Sequence, residues 1–290
     1  MSDDGLLSSL RYLFADFLDE EDTTPPFLPD GLPEEAVPAV SEGIHLLMDY
    51  QGATYARLYV DRVKRFVGKI DSGLLAEIAR LMAERMAYED AIRIAQCKLA
   101  EYRDSGGEIL STDIKQFRFD ELVDALPEIA ADPVLMVLGK IGWEHRRVSI
   151  PFSTASRWGL RRLKAEAWLR RWRRFSIRYG QERVWVERWL HMIARALLKQ
   201  PQSVSAIVDT ATMIKGHGDA YRQGLADWHA IIDGLVKPVF DGVLPLDDLA
   251  DAIRQAREAA MPDPRQVSLK RAIAEIRARA IGAGGNAAAE

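Results

Sequence analysis

The positions of the prolines constrain the fold of this chain more than any other sequence feature. A proline inside a helix removes a backbone hydrogen bond and clashes with the preceding turn, so proline-free windows permit long helices. The thirteen prolines are clustered, and none occurs in residues 39–126, 152–200 or 202–237. We therefore expect long helices that are separated by a few breaks.

Apolar residues recur at helical spacing inside these windows. Steps of three and four lead from Leu75 through Ile78 and Met82 to Met86, as on the buried stripe of an amphipathic helix. The sequence predicts about eight helices, near residues 5–20, 34–48, 53–69, 73–103, 156–179, 182–199, 202–237 and 246–280.

Little of the sequence is typical of β-strands. Only Lys115–Phe119 and Val134–Leu138 could form short strands, and the second could equally be a buried helix. The predicted fold class is therefore all-α: a multi-helix bundle with at most minor β structure.

The chain divides into four predicted parts. These are an acidic N-terminal segment with a proline-rich arm over residues 1–38, a helical core domain over 39–240, C-terminal helices over 241–281 and a disordered tail over 282–290. The tail is assigned by its Gly/Ala-rich composition and its terminal position.

Charge is distributed unevenly along the chain. Residues 1–50 contain twelve acidic residues and one arginine, whereas residues 140–200 contain sixteen basic residues and four glutamates. We expect these two blocks to face each other within the fold or across an assembly. Binding of nucleic acid is the competing interpretation, but the isoelectric point near 5.8 argues against it.

Several kinds of site are excluded by the residues that the sequence lacks. Iron–sulfur clusters and cysteine-rich zinc sites need several thiolates, and Cys97 is the only cysteine. We expect Cys97 to be a buried structural residue, because it lies beside apolar residues on a predicted helix. A thiamine diphosphate site of the usual Gly-Asp-Gly type needs an asparagine downstream, and the only asparagine is Asn286.

Other common motifs are missing as well. There is no phosphate-binding Gly-x4-Gly-Lys-Ser/Thr loop and no nucleophile elbow, and the five histidines have no metal-ligand spacing. No apolar run approaches the roughly 18 residues that a membrane span needs, and the N-terminal residues are acidic where a signal peptide is basic. We expect a cytoplasmic protein without a metal or membrane site.

One predicted helix has an unusual aromatic pattern. Trp158, Ala165, Trp168, Trp172, Phe175 and Tyr179 follow steps that place them on a single stripe, and Arg157, Arg161, Lys164, Arg171, Arg174 and Arg178 lie beside it. The stripe can be core, covered by arginines that pair with acidic helices. Alternatively, it is a docking face for an acidic partner, with Arg171, Arg174 and Arg178 as contact residues.

Two short segments are candidates for ligand binding or for turns between helices. Lys215-Gly216-His217-Gly218-Asp219 joins two predicted helices, and its glycines could bring backbone amides close to an anion. A plain turn is the alternative, since glycine is common where helices end. Met86-Ala87-Tyr88-Glu89-Asp90 can likewise be a helix junction.

Three groups of residues together resemble a known family. They are Asp49-Tyr50-Gln51 with Tyr55 and Tyr59, then Met86–Asp90, then Ile214–Asp219 with Arg222 and Gly224-Leu225-Ala226. In this order they resemble the helical C-terminal region of indolepyruvate oxidoreductase beta-subunit family proteins, over residues 40–240.

The resemblance implies a role in a 2-oxoacid ferredoxin oxidoreductase of aromatic amino acid catabolism. In such enzymes, arylpyruvates such as indolepyruvate are oxidatively decarboxylated with ferredoxin as the electron acceptor. Other parts of the complex carry thiamine diphosphate and iron–sulfur clusters, and a gamma-type domain precedes the helical region. This chain contains none of these parts, so we expect a non-catalytic module of a longer polypeptide.

The interpretation has alternatives from other functional classes. The module supports subunit assembly or covers an active site, with the other oxidoreductase subunits and ferredoxin as its partners. Otherwise it is a free-standing helical interaction protein, or it binds a small molecule where its motifs meet. The candidate ligand or anion site comprises Tyr50, Gln51, Tyr55, Tyr88, Lys215, His217, Asp219 and Arg222. Convergence of these residues on a pocket would favour ligand binding, and dispersal over helix junctions would favour a scaffold.

Overall fold

A computed structural model describes residues 24–108, 110–125, 128–143, 145–216, 218–260 and 263–287. The helix predicted for residues 5–20, and with it most of the acidic segment, lies outside the described residues. All statements below refer to the described part of the chain.

The described chain is predominantly helical with one small β-sheet, which confirms the predicted all-α class. In chain order the elements are α1 (Val37–Tyr50), α2 (Ala53–Lys64), α3 (Ser72–Met86), α4 (Ala91–Asp104), β1 (Thr112–Arg118), α5 (Phe119–Asp124), α6 (Glu128–Ile141), β2 (Arg147–Ser153), α7 (Arg157–Trp168), α8 (Ile177–Lys199), α9 (Val204–Asp209), α10 (Gly218–Ile231), α11 (Lys237–Phe240), α12 (Leu249–Ala259) and α13 (Val267–Ala287). Short 3₁₀ segments join several of them, and a π-helical stretch, Ile232–Val236, links α10 to α11.

Side-chain caps determine where several helices begin. An oxygen of Asp71, Asp90, Ser156 or Ser176 accepts a hydrogen bond from the backbone amide three residues further on, which satisfies a donor that the first turn leaves without an intrahelical partner. The cap at Asp90 starts α4, so the predicted helix over residues 73–103 is two helices. The proposed junction at residues 86–90 is confirmed.

The main core is built where α1, α3 and α8 meet the C-terminal helices. The rings of Trp185 and Trp228 lie 5.2 Å apart, and Trp185 stacks on Trp189 at 6.0 Å. Trp189 and Trp228 are fully buried, and their indole N–H groups donate hydrogen bonds. Trp189 donates to the carbonyl of Ile207, and Trp228 donates to the hydroxyl of Thr210. These bonds satisfy the polar ends of two large apolar side chains.

The small sheet is an antiparallel pair of strands. Thr112 of β1 pairs with Ser153 and Arg118 pairs with Arg147, and Phe117 and Phe152 form a separate apolar cluster with α4 and α7. The predicted strand at residues 115–119 is therefore found with a shifted start. Residues 134–138 lie in α6, which is the helical alternative.

Some expectations differ from the structure. Residues 147–153 form a strand that is not expected from the sequence, and its Pro151 is tolerated because this strand pairs on one side only. Cys97 is exposed rather than buried, because it lies on the outer side of α4. Helix α13 continues to Ala287 and includes most of the segment predicted to be disordered. Within the described residues, no helix is both long and apolar enough to cross a membrane.

A close approach of α10 to the preceding 3₁₀ turn makes Gly224 irreplaceable. A methyl group at Gly224 would overlap the backbone carbonyl of Met213, whereas one at Gly180, an exposed helical position, meets nothing within 4 Å. We predict that Gly224→Ala lowers the free energy of unfolding by about 1–3 kcal/mol and that the control Gly180→Ala raises it by about 0.5–1 kcal/mol. Urea titration followed by circular dichroism measures both; equal effects at the two positions would contradict this packing.

Candidate functional site

Three tyrosines of the candidate site form one buried cluster. The ring of Tyr50 lies 6.0 Å from that of Tyr55 and 5.7 Å from that of Tyr88. The hydroxyl of Tyr50 donates to the carbonyl of Tyr88 and that of Tyr55 to the carbonyl of Met86. These carbonyls lie where α3 ends, so the two hydroxyls satisfy acceptors that the helix itself leaves open.

Arg173 is the charged centre of this cluster. Its side chain is 1% exposed, and it forms a bidentate ion pair with Asp90 at 2.8 and 3.0 Å. The guanidinium lies 3.9 Å from the Tyr50 ring and also donates to the carbonyl of Tyr50 and to the amide oxygen of Gln51. One side chain thereby joins the end of α1, the start of α4 and the 3₁₀ segment Leu169–Phe175.

A second buried carboxylate, Glu182, lies between two more arginines. Arg85 approaches it at 3.0 Å and Arg178 at 3.2 Å. Arg178 also stacks on the Tyr221 ring at 3.8 Å, and Arg85 donates to the carbonyl of Ile214. This group connects α3 and α8 to the start of α10, where the last motif of the resemblance lies.

The assignment of Arg178 to a docking surface is therefore wrong. Its side chain is only 12% exposed and is held by Glu182 and Tyr221 inside the fold. A guanidinium that already pairs with a buried carboxylate has no free face for a partner protein.

Asp219 and Arg222 lie further out, at the start of α10. Arg222 pairs with Asp219 at 2.7 Å and with Glu121 of α5 at 2.7 Å, and Arg147 of β2 also pairs with Asp219. The hydrogen bonds from Arg222 and Arg147 lower the pKa of the Asp219 carboxyl. These residues and Arg118 line a small cavity of about 180 Å³, so this part of the candidate site is open to solvent.

The glycine loop before α10 has the geometry of a turn. Gly216 and Gly218 both have φ near +69°, a conformation that favours glycine. Lys215 is exposed beside it, and His217 lies outside the described residues. The geometry thus matches the plain-turn alternative for this loop.

The candidate residues converge, but mostly on a filled interior. Tyr50, Tyr55 and Tyr88 are packed against protein and Gln51 bonds to the 3₁₀ segment, whereas Asp219 and Arg222 border a cavity. A larger cavity of about 470 Å³ between α10 and α12 is lined by Asp227, Arg254 and Arg257, none of which the sequence singled out. In the described part of the chain, no three His, Cys, Asp or Glu side chains are grouped as metal ligands.

The aromatic stripe is neither continuous nor buried. Helix α7 ends at Trp168 and the next seven residues are 3₁₀, which changes the repeat from 3.6 to 3.0 residues per turn. Arg173 therefore points inward, while Trp158 and Trp168 are 73% and 50% exposed. The interpretation of the stripe as core is wrong for its tryptophans.

The outward side of this region combines aromatic and basic side chains, and we call it the aromatic–basic face. On α7 and the 3₁₀ segment, its apolar members are Trp158, Trp168, Leu169 and Trp172, and its basic members are Arg157, Arg161, Lys164 and Arg171, all exposed. Arg174 is half-buried beside it. Of the three arginines assigned to docking, only Arg171 lies fully on this face.

The residues that hold the site together have no distinguishing pattern in the sequence. Arg173 is one of four arginines in the stretch Arg170–Arg174, and nothing in the local sequence distinguishes it from its neighbours. Arg173 is buried because the 3₁₀ repeat of Leu169–Phe175 turns it inward and because it pairs there with Asp90. The contact with Asp90 is a tertiary feature. Arg85 and Glu182 were missed for the same reason.

Comparison with known proteins yields one family. The sequence model of this family, described as "Family of unknown function (DUF6537)", matches residues 36–234. The matched range begins just before α1 and ends within the π-helical stretch, so it includes both buried arginine clusters. No curated protein and no solved structure matches the chain.

Removal of the Arg173 charge should destabilise the fold strongly. Arg173→Met leaves the Asp90 carboxylate buried without its partner, which should lower the free energy of unfolding by about 3–5 kcal/mol. The control Arg171→Met changes an exposed position of the same segment and should stay within about 0.5 kcal/mol of the original chain. Urea denaturation measures both, and a loss below about 1 kcal/mol for Arg173→Met would show that the pair is not central.

The buried tyrosines also predict a loss of stability at alkaline pH. Burial raises the pKa of Tyr50, Tyr55, Tyr88 and Tyr221 above the ordinary tyrosine value. The unfolded chain, with a pKa near 10, loses these protons first, so stability holds below about pH 10 and falls above it.

Above about pH 10 the free energy of unfolding should fall as the pH rises. Each tyrosine that stays protonated only in the folded chain contributes up to about 1.4 kcal/mol per pH unit to the slope of this dependence. We predict that Tyr55→Phe makes the free energy of unfolding fall less steeply with pH between about pH 10 and pH 11, by about 1 kcal/mol per pH unit, whatever its effect on stability at neutral pH. Urea titrations across this range measure the slope, and an unchanged value would contradict the assignment.

Proposed function

The chain belongs to the family of unknown function DUF6537, and we propose that it is a non-catalytic helical assembly domain of an indolepyruvate oxidoreductase subunit. In this role it contacts other parts of a 2-oxoacid ferredoxin oxidoreductase that decarboxylates arylpyruvates oxidatively and passes electrons to ferredoxin. Thiamine diphosphate and iron–sulfur clusters belong to those other parts.

The use of the motif residues supports a structural role. Tyr50, Tyr55 and Tyr88 bond to backbone carbonyls or pack on arginines, and their surroundings are filled by protein. Burial raises the pKa of each phenol, so these groups stay neutral and protonated near pH 7. Residues in such contacts orient helices rather than bind a substrate.

The single observation that carries the proposal is the aromatic–basic face. Trp158 and Trp168 expose large apolar surfaces beside Arg161 and Lys164. Burial of an apolar side chain contributes about 1.5–3 kcal/mol, and tryptophan and arginine are enriched among the residues that dominate protein–protein binding. The face has the composition of an interface for an acidic protein surface.

The resemblance supplies the identity of the enzyme. The three motifs occur in the same order as in indolepyruvate oxidoreductase beta-subunit family proteins. The first ends α1 and starts α2, the second joins α3 to α4, and the third starts α10. The first two motifs meet in the buried tyrosine cluster, and the third contributes the Ile214 carbonyl, which accepts a hydrogen bond from Arg85 in the second buried cluster. In a second version of this role, the domain covers an active site of the enzyme.

Two alternatives have their own supporting observations. A free-standing interaction module would use the same aromatic–basic face with a different partner. A small-molecule domain would use the cavity at Asp219, where Arg118, Arg147 and Arg222 could bind a small anion. That cavity already contains the Asp219 carboxylate, which neutralises part of its positive charge.

Co-purification tests the assembly role. The tagged full-length protein, isolated from its own cells, should bring down subunits that contain thiamine diphosphate and iron. Arg161→Glu with Lys164→Glu should reduce the bound cofactor at least tenfold, because two of the four positive charges on the face are reversed. The matched control, Lys64→Glu with Lys69→Glu, makes the same charge change at two exposed positions, the last residue of α2 and a residue shortly after it, and should leave binding intact.

Either of two results would contradict the proposal. The original protein could be recovered without these cofactors, or the two double variants could retain them equally. Retention of another protein without cofactor would favour the free-standing module.

A further inference from the structure

The cavity between α10 and α12 contains a buried carboxylate without a basic partner. Asp227 is 6% exposed and lines this cavity of about 470 Å³. Its Oδ1 atom accepts hydrogen bonds from the side-chain amides of Gln223 and Gln266, at 2.8 and 2.7 Å. Within the described ranges of the chain, Asp227 forms no ion pair, although buried charges are normally paired. Its Oδ2 atom is thus placed to receive a positively charged group that enters the cavity.

The backbone at Gln266 is strained where its side chain holds Asp227. Gln266 has a φ of +56°, a left-handed conformation that is costly for a residue with a Cβ atom. Among the residues that the structure describes, no other non-glycine residue has a positive φ. Asp263 holds the same turn by accepting hydrogen bonds from the backbone amides of Arg265 and Val267. Strained residues cluster at ligand-binding sites, and this one fixes the orientation of the buried carboxylate.

The α12 side of the cavity is basic. Arg254 and Arg257 both line it and lie three positions apart, so they project from the same side of the helix. The carboxylates that pair with them, Asp251 and Asp209, are 3.4 and 3.5 Å away, longer than the about 2.7–2.9 Å of a strong ion pair. Arg257 is also held by the hydroxyl of Thr212, which accepts a hydrogen bond at 3.0 Å. Each guanidinium has more N–H donors than these contacts use, so donors remain for a ligand carboxylate.

We propose that this cavity binds a free α-amino acid as a zwitterion. The ammonium group donates to Oδ2 of Asp227, and the carboxylate accepts hydrogen bonds from Arg254 and Arg257. Met213 and Ala260 also line the cavity, so an apolar side chain of the ligand has apolar protein surface beside it. The cavity volume lies in the range of about 300–1,000 Å³ that is typical of small-molecule sites.

The charges that line the cavity favour a zwitterion over a simple ion. They belong to two arginines, Arg254 and Arg257, and to two carboxylates, Asp227 and Glu258. A simple anion would lie near both carboxylates and a simple amine near both arginines, so each would meet charges of its own sign. A zwitterion of amino-acid size places each of its charges beside an opposite one.

This site goes beyond the proposed function and does not depend on it. Among the described residues, the cavity shares no lining residue with the cavity at Asp219 or with the aromatic–basic face. Amino-acid binding is measured on the purified chain, without any oxidoreductase subunit. Failure of co-purification would leave the site standing, and absence of amino-acid binding would leave the assembly role standing.

Calorimetric titration of the purified full chain provides the direct test. L-leucine, L-methionine and L-phenylalanine serve as probes, and at least one should bind with a Kd of about 1 mM or lower near neutral pH. The amide of the tightest binder lacks the carboxylate, and its analogue without the amino group lacks the ammonium. Both should bind at least about tenfold more weakly, because each loses one charge-assisted contact.

Three results of this titration would overturn the proposal. The first is that none of the three probes binds. The second is that the amide binds as tightly as the amino acid, which would indicate a site for amines. The third is equal binding of the analogue without the amino group, which would indicate a site for anions.

Two single variants test whether binding occurs in this cavity. Asp227→Asn keeps an acceptor for the two glutamines but removes the negative charge, and Arg254→Gln removes a positive charge from a side chain that is 61% exposed. Each should raise the Kd at least about tenfold. The matched controls, Asp61→Asn on α2 and Arg271→Gln on α13, make the same charge changes at exposed positions outside the cavity and should leave the Kd unchanged.

The exposed position of Arg254 keeps this test independent of folding. Arg254→Gln should fold even if Asp227→Asn does not, and circular dichroism verifies the fold of each variant. Equal Kd values for Arg254→Gln and Arg271→Gln would overturn the assignment of the site.

Discussion

A buried ion pair, Arg173 with Asp90, is the interaction on which the arrangement of the described chain depends. A guanidinium that is 99% removed from solvent is tolerated only where its donors are used. Here a bidentate carboxylate, a backbone carbonyl, the Gln51 amide oxygen and an aromatic face surround it. Asp90 also caps α4, so one carboxylate sets both the start of a helix and the position of the 3₁₀ segment against it.

The second cluster extends this arrangement to the C-terminal half of the core. Glu182 receives Arg85 and Arg178, and Arg178 stacks on Tyr221 of α10. Residues that are far apart in the sequence thus form one polar network inside an otherwise apolar bundle. An alternative packing of these helices would leave charges buried without partners, which is costly in free energy. The range matched by the family model includes both clusters.

Burial of the arginines in the core explains why the aromatic residues of the same segment face outward. The 3₁₀ turn brings Arg173 inside, and the three tryptophans that precede it, Trp158, Trp168 and Trp172, remain on the surface. The result is a face that combines apolar area with positive charge, next to a rigid core and opposite in charge to the N-terminal segment. The proposed assembly role follows from this division.

The sequence by itself determined the helical class, most helix positions and the junction at residues 86–90, because proline placement, apolar spacing and capping residues act within a few residues. It also brought the tyrosines and Asp219 to attention as motif residues. The partners of the buried Arg173 and Arg85 were decided only by the tertiary structure. Four of the five residues in Arg170–Arg174 are arginines, and the local sequence does not show which of them is buried. Arg173 is the buried one because the 3₁₀ segment turns it inward and because it pairs with Asp90, 83 residues away. Long-range contacts of this kind have no local pattern, since the energy that selects them exists only once the helices have packed.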